Sequence, residues 1–547
     1  MSVELHFNGQ RRDVAPGVSL FDHAEAMGIN VPTSCRKQGK CKECVVEVTE
    51  GMGCLSDRIP AEQHLQGRFR LSCSCRIVKD AGVVRCHTMR RGEMRIEREA
   101  VYLPGGNQKL KLDPAVTRDG DRILLDGVEI ARSTVPIHGL AMDLGTTTVV
   151  LRLLNLETGE VIADASFENP QRFGGSDVMS RIHYDTEEGG HLLQRTLAGY
   201  LTHAIEEFPV DPRTIYEMVV AGNSTMRDLF FRLNVHSIGQ SPYRSITELE
   251  MAEGRRLSTS LAEPARKLLL PLHPKARVYG LPIISGHVGA DAAACMLAVG
   301  LANETRLIAI MDIGTNTELI LGNKDKIFAA SCPAGPAFEG GAISCGMPGL
   351  PGAIERVKIG DDGAMQVRVI GGVPAQGICG SGLVDLLGEL LRTGRINRLG
   401  RFENGDERVV LDVNSDASIY FTESDINELA QAKGANVAGL QVIFQDYGIR
   451  FDELDVFYLA GGFGRHLNIE SSKRIGLIPN LEEAKILQVG NAAIEGACIA
   501  LLSRTKRAEL EAFVKKVTHC RLEAHGNFFN FFVEGCQFNP VETLSAP

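Results

Sequence analysis

The sequence predicts an α/β protein built of several domains, and three observations predict it. The chain has 547 residues, more than a single hydrophobic core serves. Near the N-terminus Cys35, Cys41 and Cys44 form the pattern C-x5-C-x2-C, with Cys73 after a long gap. Further on, one signature occurs twice, over 140–151 and 310–321: an apolar strand, Asp-x-Gly-Thr, then a second apolar strand.

The bulk composition excludes several classes. An apolar fraction of 44% and a charged fraction of 23% are ordinary for a soluble globular chain. No apolar run approaches the length of a membrane span, so no membrane association is expected. Met1-Ser2-Val3-Glu4-Leu5-His6 lacks the basic and apolar regions of a signal peptide, which makes the cytoplasm the default location. The net charge of −10 argues against a nucleic-acid partner. Of fourteen cysteines, seven fall between Cys35 and Cys86, a clustering that reads as metal ligation in a reducing compartment. The others, Cys295, Cys332, Cys345, Cys379, Cys498, Cys520 and Cys536, read as small buried hydrophobes.

Residues 1–89 form the first expected domain. Val3-Glu4-Leu5-His6-Phe7 alternates as a half-buried strand does. Ser19 caps a helix with Asp22 at its third position, and Gly28 ends it. The loop from Cys35 to Cys44 follows, then the strand Val45-Val46-Glu47-Val48. Strand, helix, ligand loop and strand is the order of a β-grasp ferredoxin, and the spacing suits a [2Fe–2S] cluster. Gly39 allows the backbone to turn its N–H groups toward cluster sulfurs, and Arg36, Lys37, Lys40 and Lys42 add positive charge. Cys35, Cys41 and Cys44 are three expected ligands. For the fourth, Cys73 and Cys75 lie two apart on an expected strand, so face parity does not separate them. Arg70-Leu71-Ser72-Cys73 resembles the ferredoxin pattern R-L-x-C and favours Cys73. A mononuclear zinc site is the alternative, disfavoured because only one C-x2-C knuckle is present.

Residues 90–134 read as a linker, on the dense charge and turn residues between Arg90 and Asp113. Residues 135–215 and 216–547 then form a nucleotide-binding body. In each Asp-x-Gly-Thr hairpin the glycine leaves room for a phosphate, and turn N–H groups and hydroxyls donate to its oxygens. The carboxylate holds Mg²⁺ through water. The expected set is Asp143, Gly145, Thr146 and Thr147 in the first hairpin and Asp312, Gly314, Thr315 and Asn316 in the second. Asp455-Val-Phe-Tyr-Leu-Ala-Gly461-Gly462 is a buried strand running into glycines that suit close approach to an adenosine. Gly377-Ile-Cys-Gly380-Ser381-Gly382 adds a phosphate- or cleft-lining loop, and the loop from Gly335 to Gly341 a second. Two hairpins and a glycine strand resemble the actin, Hsp70 and sugar-kinase (ASKHA) superfamily, whose members close two halves over ATP. No P-loop and no dinucleotide fingerprint occurs.

The motifs together resemble one family, the reductive activators of corrinoid proteins. The resemblance spans nearly the whole chain. It is carried by Cys35, Cys41, Cys44 and Cys73, by Asn169-Pro-Gln171, Gly175-Ser-Asp177 and Arg181, and by Ala221-Gly-Asn223-Ser-Thr225. It continues through Gly286-His-Val-Gly289-Ala-Asp291, Asp312 to Asn316, Ser331 to Gly340, Gly377 to Gly382 and Ala432-Lys-Gly434. The family implies an ATP-dependent reductase that returns a Co(II) corrinoid to Co(I) in a methyltransferase system. The implied cofactors are a [2Fe–2S] cluster, ATP and Mg²⁺. The chain departs from the pattern at Arg36-Lys37, where relatives carry glycines, and at Thr317, where a glycine is usual. No corrinoid-binding motif is present, so the cobalt belongs to a partner protein, and an upstream electron donor is a second partner. The oligomeric state is open, a homodimer being one arrangement. Glu318, Glu339 and Asp291 are unranked candidates for the general base. Two other readings stay open at this point: an ATP-gated donor to a different low-potential acceptor, and a nucleotide-binding redox sensor or scaffold.

Overall fold

The computed structural model describes residues 2–90, 110–403, 405, 407–411, 419–462 and 464–542. These fall into two compact units, one of residues 2–90 and 112–281, the other of 110–111 and 282–542.

The first unit begins with a five-stranded sheet. Strands β1 (Val3–Phe7), β2 (Gln10–Val14), β3 (Val45–Glu50), β4 (Phe69–Leu71) and β5 (Gly82–Thr88) are arranged in the order β2-β1-β5-β3-β4. Helix α1 (Leu20–Ala26) starts where the sequence predicts. Ser19 Oγ accepts from the Asp22 N–H at 3.1 Å, and Leu20, Phe21 and Ala24 face the core. This is the expected β-grasp domain.

The expected linker divides. Residues 91–109 lie outside the described residues. The remainder is ordered as a three-stranded antiparallel sheet, β6 (Val116–Asp119), β7 (Arg122–Leu125) and β8 (Val128–Arg132). Its second turn is Asp126-Gly127, both at positive φ (49° and 82°), the backbone a two-residue hairpin needs. Arg118 pairs with Glu157 and Asp126 with Arg277, so this small sheet is fastened to the body that follows.

That body is a six-stranded sheet in the order β11-β10-β9-β12-β14-β13. Its strands are β9 (His138–Leu144), β10 (Thr148–Asn155), β11 (Val161–Glu168), β12 (Ile215–Gly222), β13 (Leu261–Pro264) and β14 (Arg277–Gly280). Helices α2 (Val178–Glu188), α3 (Leu192–Glu206) and α4 (Ser224–Phe230) belong to it. One apolar core runs from Val3 and Leu5 of the β-grasp sheet through Leu193, Leu197 and Tyr200 of α3 to Met218 of β12.

The second unit repeats the plan. Strands β15 (Ile308–Ile313), β16 (Thr317–Gly322), β17 (Ile327–Cys332), β18 (Val456–Ala460), β19 (Ile486–Gly490) and β20 (Thr518–His519) lie in the order β19-β18-β15-β16-β17-β20. In each sheet three antiparallel strands are extended by two parallel ones, so β11-β10-β9-β12-β14 corresponds to β17-β16-β15-β18-β19. The boundary expected between residues 215 and 216 therefore falls at the start of β12, a strand hydrogen-bonded along β9. The first unit continues instead to Leu281. The apolar run of β12, buried at every residue, marks it as an interior strand that cannot leave its sheet.

Candidate functional site

The loop from Cys35 to Cys44 winds through left-handed backbone at Arg36, Lys37, Gly39 and Lys42 (φ 51°, 67°, 69° and 61°). Arg36 and Lys37 thus occupy positions where glycine is unstrained. Lys37 is not a free cation beside the loop. It pairs with Asp22 at 2.8 Å and with Glu25, both on α1, and lies over the Phe21 ring.

The loop collects the thiols into two pairs. Cys44 Sγ lies 3.3 Å from Cys73 Sγ, and the Thr33 hydroxyl lies 4.0 Å from the Cys35 sulfur and 3.8 Å from that of Cys41. Burial acts to raise the Cys35 thiol, but backbone N–H groups of Cys41, Lys40 and Gln38 outweigh it and bring it down to about 7. Cys73, bonded by the Cys44 thiol and by the Gly39 N–H, is lowered to about 6, while Cys44 is raised and keeps the shared proton. Inward N–H groups and acidified thiols are what an iron–sulfur site requires. Among the described residues no three His, Cys, Asp or Glu gather closely enough for one metal ion.

The structure separates Cys73 from Cys75 for a reason the sequence pattern hides. Strand β4 stops at Leu71, and Ser74 and Cys75 both donate their N–H to the Leu71 carbonyl (3.0 and 2.9 Å). The segment is a turn, so the alternation of a strand does not apply. Cys73 faces Cys44, whereas Cys75 is wholly buried in the core, where burial pushes its thiol up to about 12. Arg70, itself buried, holds Glu62 through 2.8 and 3.1 Å bonds, and Glu62 accepts the Leu71 N–H at 2.9 Å. The arginine of R-L-x-C thus fixes the turn that presents Cys73.

The first hairpin joins β9 to β10. Asp143, Gly145 and Thr147 are partly accessible, whereas Leu144 and Thr146 are buried. Gly145 donates its N–H to the Thr148 carbonyl at 2.9 Å, and a Cβ on Gly145 would lie 2.8 Å from that oxygen. Two asparagines outside the expected set support the turn. Asn169 donates its amide to the Gly145 carbonyl at 2.8 Å, and Asn223, the N-cap of α4, donates to the Thr146 hydroxyl at 2.9 Å. The signal for both was in plain view: Asn before Pro170 and Asn before Ser-Thr are N-cap sequences.

The second hairpin, β15 to β16, repeats the pattern: Asp312, Gly314 and Asn316 are partly accessible, and Ile313 and Thr315 buried. Thr315 donates its hydroxyl to Glu339. The buried threonine of each hairpin therefore bonds to a protein side chain. Asp312 accepts from the Cys295 thiol at 3.2 Å. Glu318 is its cross-strand neighbour and accepts from Ser331 at 3.3 Å. Burial, then the charges of Asp291 and Asp312, push the Glu318 carboxyl well above the usual range. Burial likewise raises Asp312. Thr317 is fully buried, with no partner for its hydroxyl among the described residues.

The glycine strand β18 lies parallel to β15, pairing Asp312 with Ala460. Gly461 has φ 96°, and a Cβ there would stand 2.5 Å from the Ile313 carbonyl and 2.9 Å from Asp312 Oδ1. Its glycine is thus demanded by the second hairpin. Gly462 is exposed, with nothing among the described residues within 4 Å of its Cβ position. Gly380 and Ser381 open a helix, Gly380–Arg392, and both are buried. That helix packs on the strand Ala353–Ile359 and on Ala337–Glu339, so its tie to the second hairpin runs through Glu339.

Three comparisons bear on this arrangement. Residues 5–78 match the model of the 2Fe-2S iron-sulfur cluster binding domain, residues 138–304 the RACo middle region, and residues 306–546 the C-terminal domain of RACo, the ASKHA domain. The corrinoid activation enzyme RamQ of Eubacterium limosum is 32% identical over 466 residues, 80% of this chain and 76% of that one. The Co(II) methylated amine-specific corrinoid protein reductase of Methanosarcina barkeri is 26% identical over 440 residues, covering 74% of this chain and 79% of its own. A solved reductive activator for corrinoid, iron-sulfur protein matches with a TM-score of 0.71 at 28% identity, over 98% of both chains.

Proposed function

The chain belongs to the reductive activators of corrinoid proteins, and from that premise we propose that it uses ATP to pass one electron from a [2Fe–2S] cluster to a corrinoid protein, restoring Co(II) to Co(I). The observation that carries this reading is the joining, in one chain, of a loop with two facing thiol pairs and two equivalent Asp-x-Gly-Thr hairpins.

Cys35, Cys41, Cys44 and Cys73 would hold the cluster. When bound, the cluster supplies a one-electron couple. The loop N–H groups favour the thiolates and the added charge of reduction. Each hairpin offers its own phosphate- and Mg²⁺-binding candidates: Asp143, Gly145 and Thr147 in the first, and Asp312, Gly314 and Asn316 in the second. Thr146 and Thr315 brace the turns from behind. The crowding of Asp312, Glu318 and Asp291, which pushes the Glu318 carboxyl up, would be relieved by a divalent cation. Gly462 leaves open space for an adenosine, and Gly380 and Ser381 line the same site. The coupling of ATP to electron transfer is a difference in partner affinity between conformations, since nucleotide cannot move the electron itself. The protein works in the cytoplasm, with a corrinoid protein and an upstream donor as partners.

The experiment is anaerobic. Purified protein, a chemical reductant and Mg-ATP are mixed with a Co(II) corrinoid protein, and the Co(I) absorption and phosphate release are followed. ATP-dependent appearance of Co(I), with hydrolysis stimulated by the corrinoid protein, is the expected result. Normal hydrolysis with the cobalt left as Co(II) overturns the reading for that partner.

A further inference from the structure

We infer that Arg195, on a helix of the middle domain and far in sequence from the cysteines, is a positioning residue for the [2Fe–2S] cluster. Its Nη2 donates to the Cys41 carbonyl at 2.7 Å and to Glu43 Oε1 at 2.8 Å, and its Nε donates to the same oxygen at 3.1 Å. Glu43 is buried between Lys42 and Cys44, and its Oε1 also accepts from Ser34 at 2.9 Å. One guanidinium therefore gathers the residue before Cys35, the carbonyl of Cys41 and the residue before Cys44. A planar fork with several donors does this, where a lysine would reach fewer acceptors.

The rest of α3 is shaped to the same task. Four residues on, Gly199 lies on the face of Arg195, and a Cβ there would stand 2.7 Å from Pro32 Cβ. The helix backbone thus approaches the entry to the ligand loop as closely as the chain allows. Tyr200 Oη accepts the Met89 N–H at 2.9 Å, and Arg90 makes two bonds to Glu207 at 2.9 and 2.7 Å. Arg172 adds an ion pair to Glu47 on β3. The cluster loop is thus held by the body that carries the first hairpin.

Reduction adds one negative charge to the cluster. The Arg195 cation favours that charge and the Glu43 carboxylate opposes it. Removing each therefore moves the midpoint in opposite directions, which loss of packing alone does not do. The inference rests on the cluster assignment and needs no corrinoid protein. Iron content and the EPR signal of the reduced wild-type protein establish the cluster first, so failure of the proposed activity and failure of this inference remain distinct.

The test is a redox titration of the full-length holoprotein, read by EPR. In Arg195→Gln the ratio of reduced to oxidised cluster at the wild-type midpoint should fall about tenfold, equivalent to ~59 mV for one electron. In Glu43→Gln it should rise. If Arg195→Gln takes up no iron, Glu43→Gln decides alone. Midpoints equal to wild type, a shift of both variants in the same direction, or a fall in Glu43→Gln overturns the inference.

Discussion

Asn169 closes the first hairpin against Gly145. Its side-chain amide donates to the Gly145 carbonyl at 2.8 Å, and its backbone N–H donates to the Thr147 carbonyl at 2.6 Å. The other side-chain atom, Oδ1, caps the following turn by accepting the Gln171 N–H at 2.9 Å. Arg172, in that turn, makes the ion pair to Glu47 of the β-grasp sheet. Four residues thus join a proposed phosphate turn to the cluster domain.

Asn169→Asp separates the two jobs of this side chain. The carboxylate keeps the cap but cannot donate to Gly145, and it places a charge beside a carbonyl. The melting temperature should fall, because the cap is kept but a fully buried carboxylate now faces a carbonyl that it cannot bond. ATP affinity, measured by calorimetry, should fall by about tenfold, the value of one lost hydrogen bond to a buried group, ~1.4 kcal/mol. Unchanged affinity would show that the turn needs no bond from Asn169.

Gly461 and Gly462 are adjacent yet should respond oppositely to alanine. At Gly461 a Cβ collides with the Ile313 carbonyl and Asp312 on a backbone at positive φ, so Gly461→Ala should destabilise by about 2–3 kcal/mol. At Gly462 a Cβ meets nothing among the described residues, and stability should stay within about 0.5 kcal/mol. Any loss of ATP binding in Gly462→Ala then reports contact with ligand. Chemical denaturation beside a binding isotherm for each variant distinguishes the two.

The choice between the two cysteines of the turn is sharp. Cys73→Ser should lose the visible absorption of the cluster and most of its iron. Cys75→Ala should keep both, at a cost of about 1–2 kcal/mol for a small cavity in the β-grasp core. Retained colour in Cys73→Ser would reverse the assignment.

Local chemistry made much of this molecule legible. Ser19 and Asp22 announce α1, the cysteine spacing announces the ligand loop, and two Asp-x-Gly-Thr signatures announce equivalent hairpins because turn chemistry is written in adjacent residues. What escaped depends on pairing at a distance. The 72–75 turn looks like a strand until the Leu71 carbonyl is seen to take two N–H groups. The sheet from Val116 to Arg132 hides its alternation beneath charge, although Asp126-Gly127 signalled a hairpin. Thr146 and Thr315 share the residue type of a phosphate donor, and only Asn223 and Glu339 show that their hydroxyls are bonded within the protein. Arg195 carries no local signal at all, since its partners precede it by about 150 residues.

Acid should loosen the β-grasp domain through His64. This ring is 5% exposed, and burial, aided by Lys42 and only partly opposed by the Ala61 carbonyl, lowers it to about 4 from an ordinary 6.5. The folded state therefore binds its proton less readily than the unfolded chain does. Between pH 6.5 and pH 4 the unfolded state carries more protons, so stability falls as the pH falls through that window. The full contribution, about 3 kcal/mol, is present above pH 6.5 and is lost by pH 4. His64→Leu removes the titrating group while keeping the ring's place apolar. Urea midpoints measured at intervals across this window should decline less steeply in the variant than in the wild type. Parallel declines would mean that the acid sensitivity of this domain resides elsewhere, in its carboxylates rather than in a buried imidazole.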